Sequence, residues 1–181
     1  MSGRILFLDI ARNTGWAEGV PGEKIASGSV RLAGDGASHG AIFASLDAWL
    51  SERLEARRYS VVAFEQPMDP RHMGKRTTFK TARMLMGLTA IAEAASHRHS
   101  VPRVVECDVR DIRKHLLGKQ PAKGNAKAEV MQFLAYTGWR AKDDNEADAI
   151  AGWLYCEAVL APQHGADRLP MFSRIKREDR A

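Results

Sequence analysis

Asp9, Glu65 and Asp148 are acids at positions where an acid is costly. Asp9 closes the apolar run Ile5–Leu8, and Glu65 closes Val61-Val62-Ala63-Phe64. Both runs have the length and composition of a strand buried on its two faces. A charge at the end of such a strand needs water, a partner or a metal ion. Taken singly, each acid is better read as a strand-end residue held by a neighbouring loop. Asp148 changes that reading. On a helical wheel of about 100° per residue it falls about 20° from both Tyr155 and Val159 and about 60° from Ala151, so it follows the apolar stripe toward the sheet. Glu146 falls about 160° away and is expected to face solvent, while Asp144 lies about 40° and Asn145 about 60° from Asp148. Helix capping explains Asp143 and Asp144 as readily as chemistry does, because Asp143 and Glu146 have the spacing of a capping box. Capping does not explain Asp148. Three acids from separate segments aimed at one crevice suit hard cations such as Mg²⁺ or Mn²⁺. Two such ions about 3.5–4 Å apart clamp the attacking water and leaving oxygen of a phosphodiester.

The elements that must position these acids are readable from periodicity. Residues 4–10 form a central strand, and 15–20 and 24–32, separated by Pro21-Gly22, complete an antiparallel meander. Ser38 caps a helix bearing Ile42, Leu46, Trp49, Leu50 and Leu54. Residues 60–65 and 102–106 are further strands, and a long helix over 77–99 lies between them. Short helices at 108–117 and 126–136 flank a Gly/Lys loop, and a last helix spans 145–160 until Pro162 stops it. The order predicts one α/β domain over residues 1–161, with a five-stranded mixed sheet in the order 3-2-1-4-5. Residues 162–181 read as a basic, flexible tail. Ligands bind such sheets beyond the strands' C-terminal ends, where strand order reverses, and here that point lies between Asp9 and Glu65.

Charge supports an anionic partner once it is resolved by position. The 181 residues carry 27 basic and 22 acidic side chains, a net charge of only +5. Residues 70–92 hold Arg71, Lys75, Arg76, Lys80 and Arg83 with no acid, and residues 109–127 hold Arg110, Arg113, Lys114, Lys119, Lys123 and Lys127 against Asp111 alone. Both segments flank the expected crevice and suit a phosphate backbone, bound independently of sequence and weakened by salt. No apolar stretch approaches the ~18 residues of a membrane span, and no signal peptide is apparent. Cys107 and Cys156 are far apart in sequence and form no CxxC, so neither a zinc site nor a disulfide is expected. The cytoplasm is the expected location. Gly34-x-Gly36-x-x-x-Gly40 misses the dinucleotide fingerprint, and no P-loop, GxSxG or HExxH is present.

Four segments together resemble the RuvC-type Holliday junction resolvases of the ribonuclease H-like superfamily. They are Phe7-Leu-Asp-Ile-Ala-Arg-Asn-Thr-Gly-Trp-Ala17, Ala63-Phe-Glu-Gln66, Lys123-Gly-Asn-Ala-Lys-Ala-Glu-Val130 and Asn145-Glu-Ala-Asp-Ala-Ile-Ala151, in family order over roughly residues 4–160. The Asn-Glu-Ala-Asp-Ala string resembles the phage and prophage branch. The resemblance implies that Asp9, Glu65 and Asp148 bind metal and that Lys127 lies near the cleavage site. It also implies a homodimer, with the 77–99 helix in the dimerising position, nicking symmetric strands of a four-way DNA junction. Three departures stand out. Ile10-Ala11 replace the usual Pro-Gly, Asn145 occupies a usually acidic position and leaves Asp144 as a fourth carboxylate, and Met68 stands where an aromatic residue often packs on junction bases. The expected DNA contacts are Arg71, Lys75, Arg76, Lys80, Arg113, Lys119, Lys123, Lys127 and Met68. Related alternatives are a nuclease for other branched DNA or RNA–DNA hybrids, and a junction-binding protein that does not cut. An actin-like kinase would need two such domains.

Overall fold

The computed structural model describes residues 3–67, 78–122 and 124–165. Strands β1 (Ile5–Asp9), β2 (Asn13–Gly19) and β3 (Ala26–Arg31) form the meander, followed by α1 (His39–Ala56), β4 (Val61–Glu65), α2 (Phe79–Arg98) and β5 (Arg103–Cys107). Helices α3 (Val109–Leu117), α4 (Ala126–Tyr136), α5 (Asp144–Leu160) and α6 (Pro162–Gly165) complete the order. The sheet runs β3-β2-β1-β4-β5, as the sequence predicts. β1 pairs antiparallel with β2 and parallel with β4, and β4 pairs parallel with β5. β2 begins earlier than its apolar pattern suggests, because Asn13 and Thr14 pair with Arg31 and Val30.

The unbroken apolar character of β1 follows from its central place. Ile5 and Phe7 enter the core shared with α3, α4 and α5, while Leu6 and Leu8 enter the core shared with α1 and α2. β4 divides in the same way, Val61 and Ala63 to one side and Val62 and Phe64 to the other. A buried polar knot fastens α1 to β2. Glu18 accepts hydrogen bonds from the Tyr59 hydroxyl and from Arg53 Nη1 at 2.9 Å. The Arg53 guanidinium stacks over Trp16 at 3.9 Å and Trp49 at 4.7 Å, so these tryptophans also hold a charge in place.

Helix α5 is the pivot of the second layer. Its buried residues run almost round its circumference, from Glu146 through Leu154 to Glu157. A helix apolar on all sides is a central one. The sheet covers one side, α3 and α4 another, and the Trp153 indole donates to the Ile5 carbonyl at 3.2 Å. The first residues of the segment read as a tail form α6, where His164 lies against Gly22 of the β2–β3 turn. Cys107 and Cys156, remote in sequence, are buried thiols with their sulfurs 3.7 Å apart. Among the described residues, no helix is long and apolar enough to cross a membrane.

Close seating of α5 on β1 is possible because Gly152 has no side chain: a Cβ there would overlap the ring of Phe7, itself fully buried. Gly152→Ala is therefore expected to cost about 1–3 kcal/mol by overpacking, read as a lower denaturation midpoint with an unchanged slope.

Candidate active site

The turn after β1 is shaped by residues 10–14 without a Pro-Gly pair. Ile10 is buried in the α1–α2 core, Thr14 Oγ1 donates to the Ala11 carbonyl at 2.7 Å, and Leu32 N donates to the Arg12 carbonyl at 3.0 Å. This turn carries the chain away from Asp9. Beside it, Gln66 N donates to the Cys107 carbonyl at 2.8 Å, which extends the β4–β5 pairing just past Glu65. Asp9 and Glu65 thus stand half-buried at the C-terminal ends of neighbouring parallel strands.

Helix α5 supplies the remaining acids. Asp143 is its N-cap, accepting from Glu146 N at 2.8 Å. Asp144, Asn145 and Asp148 follow on the first turns, each half-buried. The carbonyl of Asn145 lies where a Cβ on Gly15 of β2 would be, so the helix start rests on the sheet backbone. One orientation differs from the wheel. Glu146, expected at the solvent, is 3% exposed. The wheel assumed a single buried face, whereas β3 and residues 137–142 enclose the opposite flank. The capping box is displaced as well, because Glu146 Oε2 accepts from Lys142 N at 2.8 Å and not from the N-cap residue.

The three principal acids lie within electrostatic reach of one another. Burial, then the charges of Glu65 and Asp148, push the Asp9 carboxyl up to about 8. Burial, then Asp148, push Glu65 up to about 7, against the pull of Arg113 and Lys127. Asp148 is raised by burial, with Arg113 and Lys127 opposing and Asp144 adding to the rise. At the rim Lys127 Nζ donates to Asp144 Oδ2 at 2.5 Å. That bond holds Asp144 below the ordinary carboxylate range despite partial burial. Burial works against the Lys127 charge, but Asp144, Asp148 and Asp9 keep its ammonium above the ordinary range.

Arg113 belongs to this site. Sequence patterning placed it in a basic segment and among the expected DNA contacts, not beside the acids. From α3 it acts on both Glu65 and Asp148, with its Nε buried and making no hydrogen bond among the described residues. A signal was present in its spacing: with Ile112 and Leu116 buried, Arg113 borders the inward face of α3. Lys80 and Lys119 are exposed, Lys80 in the first turn of α2 and Lys119 just beyond α3. Met68, Arg71, Lys75, Arg76 and Lys123 lie outside the described residues. Among the described residues, no three acids, histidines or cysteines are close enough together to form a ready-made metal cage. The donor set nevertheless fits a hard cation. It is all oxygen, and Asp9 and Glu65, raised first by burial and then by neighbouring carboxylates, are groups whose charged forms a divalent ion would favour.

No protein-family model and no curated protein sequence matches the chain. Solved structures match it in three dimensions. The RuvC structure of Thermus thermophilus superposes with a TM-score of 0.63 at 17% identity, over 88% of this chain and 96% of that one. T. thermophilus RuvC in complex with a Holliday junction substrate gives 0.62 at 18% identity, covering 82% and 89%. The yeast mitochondrial Holliday junction resolvase Ydc2 gives 0.56 at 16% identity, covering 90% and 82%. The chain has the RuvC-type, ribonuclease H-like fold.

The raised carboxyls make the metal-free protein pH-sensitive. Asp9 shifts from 3.8 to about 8 and Glu65 from 4.5 to about 7, so the folded chain binds more protons than the unfolded chain between those limits. Stability is then greatest at low pH in that window and falls as the pH rises through it. Asp9→Asn is expected to be about 1–3 kcal/mol more stable than wild type in EDTA at pH 8, and much closer to it at pH 4.5. Denaturant titrations at the two pH values measure both. Added Mg²⁺ should stabilise wild type and not the variant.

Proposed function

We propose that the chain is a divalent-metal-dependent, structure-selective DNA endonuclease that resolves four-way junctions by paired nicks. The observation that carries this reading is the convergence of Asp9, Glu65 and Asp148 at the strand-order reversal, with Lys127 and Arg113 beside them. The solved structures of like fold add support, since two of them are named for Holliday junctions. Asp9, Glu65 and Asp148 would hold Mg²⁺ or Mn²⁺, two ions per site, with Asp144 or Asn145 completing the set. Bound there, the ions supply an activated water and offset charge on the leaving oxygen. The protein's own contribution is placement and charge. Arg113 and Lys127 bring positive groups to where a scissile phosphate must enter, which offsets its repulsion by the acids. Arg113, half-buried, presents a fixed planar fork suited to phosphate oxygens. The Lys127–Asp144 pair keeps the ammonium oriented at the rim.

The DNA path would run over Lys80 and Lys119 and over Arg71, Lys75, Arg76 and Lys123, with Met68 as an apolar contact to bases. Two sites are needed for paired nicks, so the working unit is a homodimer. Helix α2 supports this by exposing Phe79 (86%) and Met86 (49%), side chains that water does not favour. We place the activity in the cytoplasm, in keeping with the two free thiols, and the enzyme in the phage and prophage branch.

The test compares synthetic four-way, three-way, RNA–DNA hybrid and duplex substrates with Mg²⁺ or Mn²⁺. Wild type should cut the four-way junction by symmetric nicks. Asp148→Asn should bind it within about two-fold of wild type while cutting at least about 10³-fold more slowly, the size of loss expected when transition-state charge loses its support. Junctions bound but uncut by wild type would leave a binding protein only, and preferential cutting of the hybrid would move the substrate class. Arg113→Gln should slow cutting about 10–100-fold, with Arg113→Lys restoring part of it. Log-affinity for the junction should fall steeply with log-salt, losing about 0.9 of slope for each phosphate contact removed.

A further inference from the structure

The acid Asp148 and the buried acid Glu146 share the first turns of α5 but point to opposite flanks of it. On the flank of Glu146, two side chains of the edge strand reach the helix. Ser27 Oγ donates to Glu146 Oε1 at 2.7 Å, and Ser29 Oγ donates to Asp143 Oδ2 at 2.5 Å. Ser27 and Ser29 are two residues apart and so lie on one face of β3. Their register leads across the sheet to the site: Ser29 opposes Gly15, which opposes Asp9, and Ser27 opposes Ala17, which opposes Phe7. Glu146 is held from the other side by Lys142 N at 2.8 Å.

We infer that Ser27 and Glu146 are positioning residues for the nuclease site, setting the rotation of α5 and through it the aim of Asp148. The inference rests on the nuclease reading for its catalytic consequence, though not for its structural one. With side chains a helix is about 10–12 Å across, so a carboxylate about 6 Å from its axis moves about 1 Å for each 10° of rotation. A displacement of that size is enough to cost about 100-fold in rate. On this flank the packing is joined by a directional polar contact, the Ser27–Glu146 hydrogen bond. Ser27 and Ile150 line an open cleft of about 710 Å³ together with Lys24, Thr137, Trp139 and Arg140. Gly15, meeting the Asn145 carbonyl, limits how deep the helix start sits, and the Trp153 indole bond to the Ile5 carbonyl holds the helix about two turns further on. The hydrogen bond from β3 adds a restraint at the helix start, on the flank opposite Asp148.

The experiment uses the full chain as Ser27→Ala, Ser27→Thr, Glu146→Ala and the Ser27→Ala/Glu146→Ala double variant. Three quantities are read: the single-turnover cutting rate of a saturating four-way junction, the junction Kd, and amide hydrogen exchange of Glu146 and Ala147. Ser27→Ala and Glu146→Ala should each lower the rate about 10–100-fold with Kd within about two-fold, and speed exchange at the helix start. The double variant should be no slower than Glu146→Ala, since both remove one restraint. Ser27→Thr, which keeps the hydroxyl, should recover most of the rate. Wild-type rate and exchange in Ser27→Ala would overturn the proposal, as would a loss that appears in Kd alone or is not recovered by Ser27→Thr. If Glu146→Ala fails to fold, Ser27→Ala and Ser27→Thr decide the matter. If wild type cuts no junction the functional reading falls, and the exchange data still decide whether Ser27 restrains the helix.

Discussion

Helix α5 touches the sheet at backbone distance, and the rest of the molecule is arranged around that contact. Two missing side chains allow it: Gly15 beneath the Asn145 carbonyl and Gly152 against the Phe7 ring. Such an approach brings Asp148 to the level of the strand ends and leaves room for little water between helix and sheet. It also determines what must lie on the other sides of the helix. Helices α3 and α4 cover its back, and the β2–β3 turn meets its C-terminal half, where Gly22 N donates to the buried Glu157 Oε1 at 2.7 Å. A helix enclosed in this way fluctuates less than one lying on a surface. That is a useful property for an element carrying the acid proposed to be catalytic.

The same enclosure concentrates negative charge at the N-terminal end of α5. Carboxyls pushed up by burial and by one another oppose folding of the metal-free chain at neutral pH. Local cations reduce this repulsion without removing it. Arg113 acts on Glu65 and Asp148, while much of the Lys127 charge is directed at Asp144. In the proposed nuclease the residual negative charge would favour a divalent ion, and stability and function would then draw on the same groups in opposite senses. Polar fastening elsewhere is more complete. Glu18 is met by Tyr59 and Arg53, and Arg57 Nε stands 3.6 Å from it.

Most of the architecture was legible because it depends on periodicities of two and 3.6 residues. The alternation of Ile5, Leu6, Phe7 and Leu8 between two cores, the Ser38 cap and the strand order all follow from local pattern plus the preference for short connections. The convergence of Asp9, Glu65 and Asp148 was legible for a related reason, since an acid on a buried face is unfavourable unless a cation or a hydrogen-bonding partner meets it. Glu146 was misread because a helical wheel knows only the helix, and a polar residue opposite the apolar stripe is normally wet. Ser27 and the Lys142 amide make that flank dry. Arg113 was recognised as basic but not as directed inward, because a residue bordering an apolar face can turn either way. The proximity of Cys107 and Cys156 was invisible for want of any spacing rule between a strand end and a helix three elements later.

What the amino-acid order determined by itself was therefore the set of elements, their sequence across the sheet and the placing of acids at the strand ends and on the first turns of the last helix, because each rests on interactions within a few residues or on the cost of burying charge. Only the tertiary structure decided the depth and rotation of α5, the membership of Arg113 and the enclosure of Glu146. Those depend on which surfaces meet at backbone distance, and such meetings are settled by packing among residues far apart in the chain.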